Sequence, residues 1–166
     1  AGSARPSSGV ADALAALAAD ADLSLVVLDV PAADVETRTE LAEAAGIASL
    51  LQLFGAMDAA ERATIWATAT AVLAPATGFA FPARMIEAFA VGAPVIARDT
   101  LTLREVAADA ASLVSSDAPD AWATAVADLL GDADSAKRLG VLAADRSRAF
   151  AWRDAGDRVW ALHADL

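Results

Sequence analysis

Cysteine is missing from this sequence of 166 residues, so neither disulfides nor thiolate metal sites can form. Lysine occurs once, at Lys137 in the C-terminal helical region, and the formal net charge is −11. That balance argues against nucleic acid as a partner, because phosphate backbones are bound by basic surfaces. Histidine also occurs once, at His163, with no serine or cysteine patterned beside it as a nucleophile, and a surface position is expected. Hydrophobic residues make up 57%, but much of that is alanine, and no run reaches the length of a membrane span. A soluble, cytoplasmic chain is expected. No charged and apolar leader is visible, and the sequence starts at Ala1 rather than Met, as a fragment or a processed product would.

What is present alternates between short apolar runs and helical periodicity over a length that suits one domain with a real core. Strands are expected at 23–30, 49–54, 71–76, 94–97 and 111–115. Helices are expected at 10–19, 33–45, 58–70, 82–91, 103–107, 117–130, 134–150 and 152–166. Asp58 followed by Glu61 predicts a capping box. This alternation implies one parallel sheet with helices on both faces. Trp66, Trp122, Trp152 and Trp160 fall at helical positions and are expected to pack a core or an interface. The Asp-Ala-Asp runs at 20–22 and 132–134 resemble metal-binding pairs, but at helix ends they suit capping better.

The stretch from Phe81 to Asp99 is the most informative. Pro82 suits a first helical turn, since its missing N–H is one that no helix satisfies. Met85, Ile86, Phe89 and Ala90 recur at helical spacing as a buried face, with Arg84 and Glu87 off its centre. Gly92 then ends the helix as a left-handed cap, Pro94 prevents its continuation, and a strand buried on both faces follows. Strand, glycine turn, helix, strand is a βαβ unit, and open sheets of this kind bind ligands at the carboxyl ends of their strands. Arg5, Arg84, Arg98 and Arg104 all map to that edge, which in an acidic chain suggests an anion-facing cleft. Asp29 ends a strand there too and suits either a ribose or base contact or strand-end capping.

The order Gly78, Phe79, Phe81, Pro82, Glu87, Ala88, Ala90, Gly92, Pro94, Val95, Ile96 resembles the donor-site signature of retaining glycosyltransferases of GT-B fold, family four (glycosyl transferases group 1), written EGFGLPxLEAMAxGxPVI. Downstream, Leu103, Glu105, Val106, Asp109, Ala110, Leu113 and Val114 resemble the family's LPEVxGDAGLLV, and Phe150 with Trp152 its FSW. Upstream, Gly2, Ser3, Arg5 and Pro6 are similar to its GSxRPxKN turn. The fold so implied is α/β, a Rossmann-like doubly wound parallel sheet forming one half of a GT-B architecture. Residues 1–166 would be the C-terminal domain, with a first strand upstream of Gly2 and a terminal helix at 152–166. The other, N-terminal half is the implied partner, and Trp152 and Trp160 are the expected contacts with it.

By the same resemblance, the ligand is a nucleotide-diphosphate sugar, bound without metal or other cofactor. Glu87 would accept hydrogen bonds from the ribose hydroxyls, and the turn of Thr77, Gly78 and Phe79 would offer main-chain N–H groups. Arg84 stands where a variant branch, P-x-K-x-x-E, has lysine, and Arg5 is a second candidate cation. Thr77 stands at the family's first glutamate, Ser8 at its lysine and Ser3 at its arginine, so a weakened or altered donor site is one expectation. Two alternatives stay open. One is a non-catalytic domain with an assembly or regulatory role; the other is a sugar-nucleotide epimerase, against which His163 speaks by its place on the last helix. No catalytic residue can be assigned.

Overall fold

The strand Val95–Arg98 (β4) sits at the centre of the larger sheet because Val95, Ile96 and Ala97 tolerate, and require, complete burial on both faces. The computed structural model describes residues 23–75, 81–116 and 118–164. In chain order these form β1 (Leu25–Val27), α1 (Val35–Ala44), β2 (Leu51–Leu53), α2 (Ala59–Thr68), β3 (Val72–Ala74) and α3 (Ala83–Ala90). After β4 come α4 (Leu101–Ala107), β5 (Ser112–Val114), α5 (Pro119–Gly131), α6 (Ala133–Arg148) and α7 (Trp152–Ala164). Single 3-10 turns at Ala32–Asp34 and Ala48–Leu50 lead into α1 and β2.

All strand pairs are parallel, as the alternation predicts. β4 lies between β3 and β5, with Leu73 opposite Ile96 and Ala97 opposite Leu113. β1 pairs with β2, Val26 opposite Gln52. Where one continuous sheet is expected, the described residues form these two ladders, with no strand among them joining β1 to β3. The expected strand before Gly2 and the helix at 10–19 lie outside the described residues. Strands are also shorter than their apolar runs. β1 stops at Val27 because Asp29 turns the chain with φ +55, a conformation no strand contains.

Side-chain alternation along β4 divides the core in two. Val95 and Ala97 face a cluster with Trp66 of α2, Met85, Ala88 and Phe89 of α3, Leu103 and Val106 of α4, and Ala143 of α6. Ile96 faces the other cluster, with Val114 and with Trp122, Val126 and Leu129 of α5. The buried face of α3 differs from the expected one by one position. Ala88 is buried and Ala90 exposed, because positions 85, 88, 89 and 92 line up against α6. Of the tryptophans, Trp66 and Trp122 are core residues, whereas Trp152 and Trp160 of α7 are 91% and 78% exposed. His163 is exposed, as its sequence position suggests.

Local signals act where they are expected. Asp58 accepts hydrogen bonds from the N–H groups of Ala60 and Glu61 while Glu61 accepts from that of Asp58, the reciprocal capping box. Gly92 follows α3 with φ +72. Asp132 caps α6 through the Ser135 N–H at 2.9 Å, a structural role for one of the two Asp-Ala-Asp runs. The other, at 20–22, lies outside the described residues.

One local position is strained. Ala108 closes α4 with φ 51 and ψ −111, close to the first central residue of a type II′ turn, where a Cβ is disfavoured. Arg146 reaches over this corner, donating to the carbonyls of Val106 at 2.8 Å and Glu105 at 2.9 Å, and its guanidinium lies 5.1 Å from the centre of the Phe150 ring. The Ala108→Gly variant is expected to be more stable by about 1 kcal/mol, relief of backbone strain exceeding the added unfolded-state entropy. A thermal melt should read this as a rise of about 2–4 °C.

Candidate functional site

Four charged side chains meet where β1, α2 and α3 converge. Asp29 follows the carboxyl end of β1, Arg62 lies in the first half of α2, and Arg84 and Glu87 occupy the first turns of α3. Glu87 Oε2 accepts from Arg62 Nε at 3.1 Å and from Arg84 Nη1 at 3.0 Å. Asp29 receives the same two arginines, Arg62 Nη1 at 3.5 Å on Oδ1 and Arg84 Nη2 at 3.1 Å on Oδ2. Asp29 Oδ1 also accepts from the Met57 N–H at 3.2 Å, and Arg62 Nη1 donates to the Met57 carbonyl. Two carboxylates and two guanidiniums thus close a ring whose charges balance.

Its members are unequal in exposure. The Arg62 side chain is 8% exposed and that of Arg84 54%, with Asp29 at 30% and Glu87 at 36%. A guanidinium so far from water must have its donors met, and three acceptors meet those of Arg62. The bonds of Arg84 face solvent and contribute little stability, on the order of 0–1 kcal/mol. Arg62 is therefore the fixed member and Arg84 the one that can exchange partners. Glu87 Oε1 meets only Arg84 Nη1, at 3.3 Å, among the described residues.

A second charged group lies at the carboxyl end of β4. Arg104 of α4 forks onto Asp99, with Nη2 at 2.7 Å from Oδ1 and 2.5 Å from Oδ2 and Nε at 2.9 Å from Oδ1. Ser115 Oγ donates to Asp99 Oδ2 at 3.1 Å. The Arg104 bonds hold the Asp99 carboxyl below its ordinary range despite some desolvation, and Asp99 in turn pushes the Arg104 guanidinium up. An open cleft of about 750 Å³ between β5, α5 and α6 is lined by Ser112, Thr124, Asp128 and Arg138, and none of the four ring residues borders it.

Of the residues singled out in the sequence, Glu87 and Arg84 are brought together, and Asp29 joins them. Arg5, Thr77, Gly78 and Phe79 lie outside the described residues, as do Ser3 and Ser8. Of the four arginines mapped to this edge, Arg5 lies outside the described residues. Arg84 and Arg104 are there, but each is neutralised by carboxylates the chain supplies nearby. Arg98 ends β4, half-buried. Arg62 escaped sequence reasoning. Its signal was available, because positions 62 and 66 are one helical turn apart on the buried stripe of α2, and an arginine there requires partners.

In a Rossmann-like α/β domain the carboxyl edge of the strands, where the charged ring lies, is the place at which ligands are bound. The family model described as glycosyl transferases group 1 matches residues 1–146, so the chain belongs to that family, of which it carries the C-terminal domain. D-inositol 3-phosphate glycosyltransferase from Corynebacterium diphtheriae is 28% identical over 151 residues, covering 88% of this chain and 35% of the relative. The enzyme of the same name from Paenarthrobacter aurescens is 31% identical over 113 residues, covering 67% and 28%. The chain thus spans about a third of the length of these relatives. Among solved structures, sucrose-phosphate synthase from Thermosynechococcus elongatus superposes with a TM-score of 0.79 at 24% identity, over 95% of this chain and 42% of that one. HepE from Anabaena, solved in complex with UDP, gives 0.79 at 16% identity over 96% and 45%. Both likenesses establish the Rossmann-like half of a GT-B fold.

Proposed function

We propose that this chain is the donor side of a retaining glycosyltransferase and binds a nucleotide-diphosphate sugar at the carboxyl edge of its strands. The observation that carries the reading is the place of Glu87. In a family of glycosyl transferases, the one carboxylate matching the signature stands at that edge with an oxygen turned to few protein donors. A carboxylate accepts two hydroxyl donors at once, and its charge strengthens each bond, which suits the vicinal hydroxyls of a ribose. Arg84, half-exposed and bound weakly, would move from Glu87 and Asp29 towards the diphosphate, supplying positive charge where other enzymes use a metal ion. Thr77, Gly78, Phe79 and Arg5 are the further proposed contacts. The exposed face of Trp152, Val159, Trp160 and Leu162 on α7 is proposed to pack on an N-terminal, acceptor-binding half. A cytoplasmic location belongs to the same reading; among the described residues no helix is long and apolar enough to cross a membrane.

A second reading is favoured by one observation. Glu87 is already satisfied by two arginines, so a site that has lost its ligand and kept its fold would look the same. Such a domain would serve assembly or regulation. Calorimetric titration with UDP-sugars and GDP-sugars separates the two. Under the first reading binding is measurable, and Glu87→Ala weakens it by about 1.5–3 kcal/mol, the scale of a charge-assisted hydrogen bond. Unchanged affinity in that variant would remove Glu87 from the site.

A further inference from the structure

Arg62 contributes to two things that are far apart in the chain. Its Nε holds Glu87 Oε2, 25 positions away on α3. Its Nη1 holds the Met57 carbonyl, and Asp29, which Arg62 also pairs, holds the Met57 N–H. The peptide groups flanking Met57, in the loop between β2 and α2, are therefore gripped by the same ionic pair that anchors the carboxylate of α3. Only a guanidinium does this, because its donors diverge at fixed angles from one plane. Burial leaves it little freedom, so the rotamer of Glu87 is set by a side chain that itself cannot relax.

We propose that Arg62 is a positioning residue of the nucleotide site, which holds Glu87 Oε2 so that Oε1 is presented to the ribose hydroxyls and keeps the 54–57 loop in register with it. The inference rests on the reading of Glu87 as the ribose acceptor. Arg62 acts through Glu87, and its loss should therefore be felt only by ligands that bear those hydroxyls. With Arg62 gone, Glu87 loses its one buried partner, and its carboxylate is free to rotate away from the ribose.

The test uses UDP and GDP, each beside its 2′,3′-dideoxy analogue, titrated into the wild type, Arg62→Met, Glu87→Gln and the double variant. Arg62→Met is expected to weaken the ribo form about tenfold and to leave the dideoxy form within about twofold. In the Glu87→Gln background the same change should produce no further loss. Arg62→Lys keeps the charge but has one nitrogen for acceptors that Arg62 serves with two. It should show the same selective loss, and it decides the matter if Arg62→Met does not fold. Equal losses for ribo and dideoxy ligands, or additive losses in the double variant, would overturn the proposal. If Glu87→Gln abolishes the ribose preference while both Arg62 variants keep it, the positioning role alone fails. A wild type that binds neither nucleotide, or does not distinguish the two forms, removes the Glu87 reading and this inference with it.

Discussion

Trp122→Ala is expected to lower the unfolding free energy by about 3–5 kcal/mol, the largest effect of any single change considered. Trp122 is wholly buried, on the face of the sheet opposite the charged ring, among Ile96, Val114, Val126 and Leu129. Its indole Nε1 donates to the Ser116 carbonyl at 3.2 Å, so truncation leaves both a large cavity and an acceptor without its donor. This face has one helix supplying most of its buried residues, which limits collapse around the void. Chemical denaturation would read the loss as a lower midpoint. A change below about 1 kcal/mol would mean that the core on this side closes over the gap, contrary to close packing.

Gly140→Val is expected to cost about 3 kcal/mol, at the upper end of overpacking effects. A Cβ on Gly140 would lie 2.5 Å from the Gly92 carbonyl oxygen, which is main chain and cannot rotate aside. Gly92 itself has φ +72 and caps α3, so the two glycines mark where α6 crosses the end of the helix that carries Glu87. Separation of α6 from α3 would be required. That motion would also shift α3 against β4, and the variant should lose nucleotide affinity as well as stability. Retention of both the wild-type melting point and affinity would show that the crossing is looser than the backbone contact implies.

The unit around α3 was legible in the sequence because its signals are local. Pro82, Gly92 and Pro94 act on their own φ angles, and the capping box of Asp58 and Glu61 spans four residues. Strand lengths were not, since a run such as LSLVVLDV says that residues are apolar and not where the chain bends, and the bend belongs to Asp29. The charged ring shows the same division. Arg84 and Glu87 are three positions apart on one helix, and their meeting follows from helical spacing. Arg62 meets Glu87 and Asp29 across separations of 25 and 33 residues, through the packing of α2 on α3, which no local rule supplies. Arg84 and Arg104 lie on the edge to which the sequence maps them, but their neutralisation by Asp29, Glu87 and Asp99 depends on the same tertiary contacts.

The central claim is that this edge holds a nucleotide through its ribose. Calorimetric titration of the wild-type protein with UDP and GDP, each against its 2′,3′-dideoxy form, tests it most directly. The account predicts measurable binding of at least one ribonucleotide and a loss of about tenfold or more when the hydroxyls are removed. No heat of binding for either nucleotide up to about millimolar concentration, or equal affinity for the ribo and dideoxy forms, would contradict it.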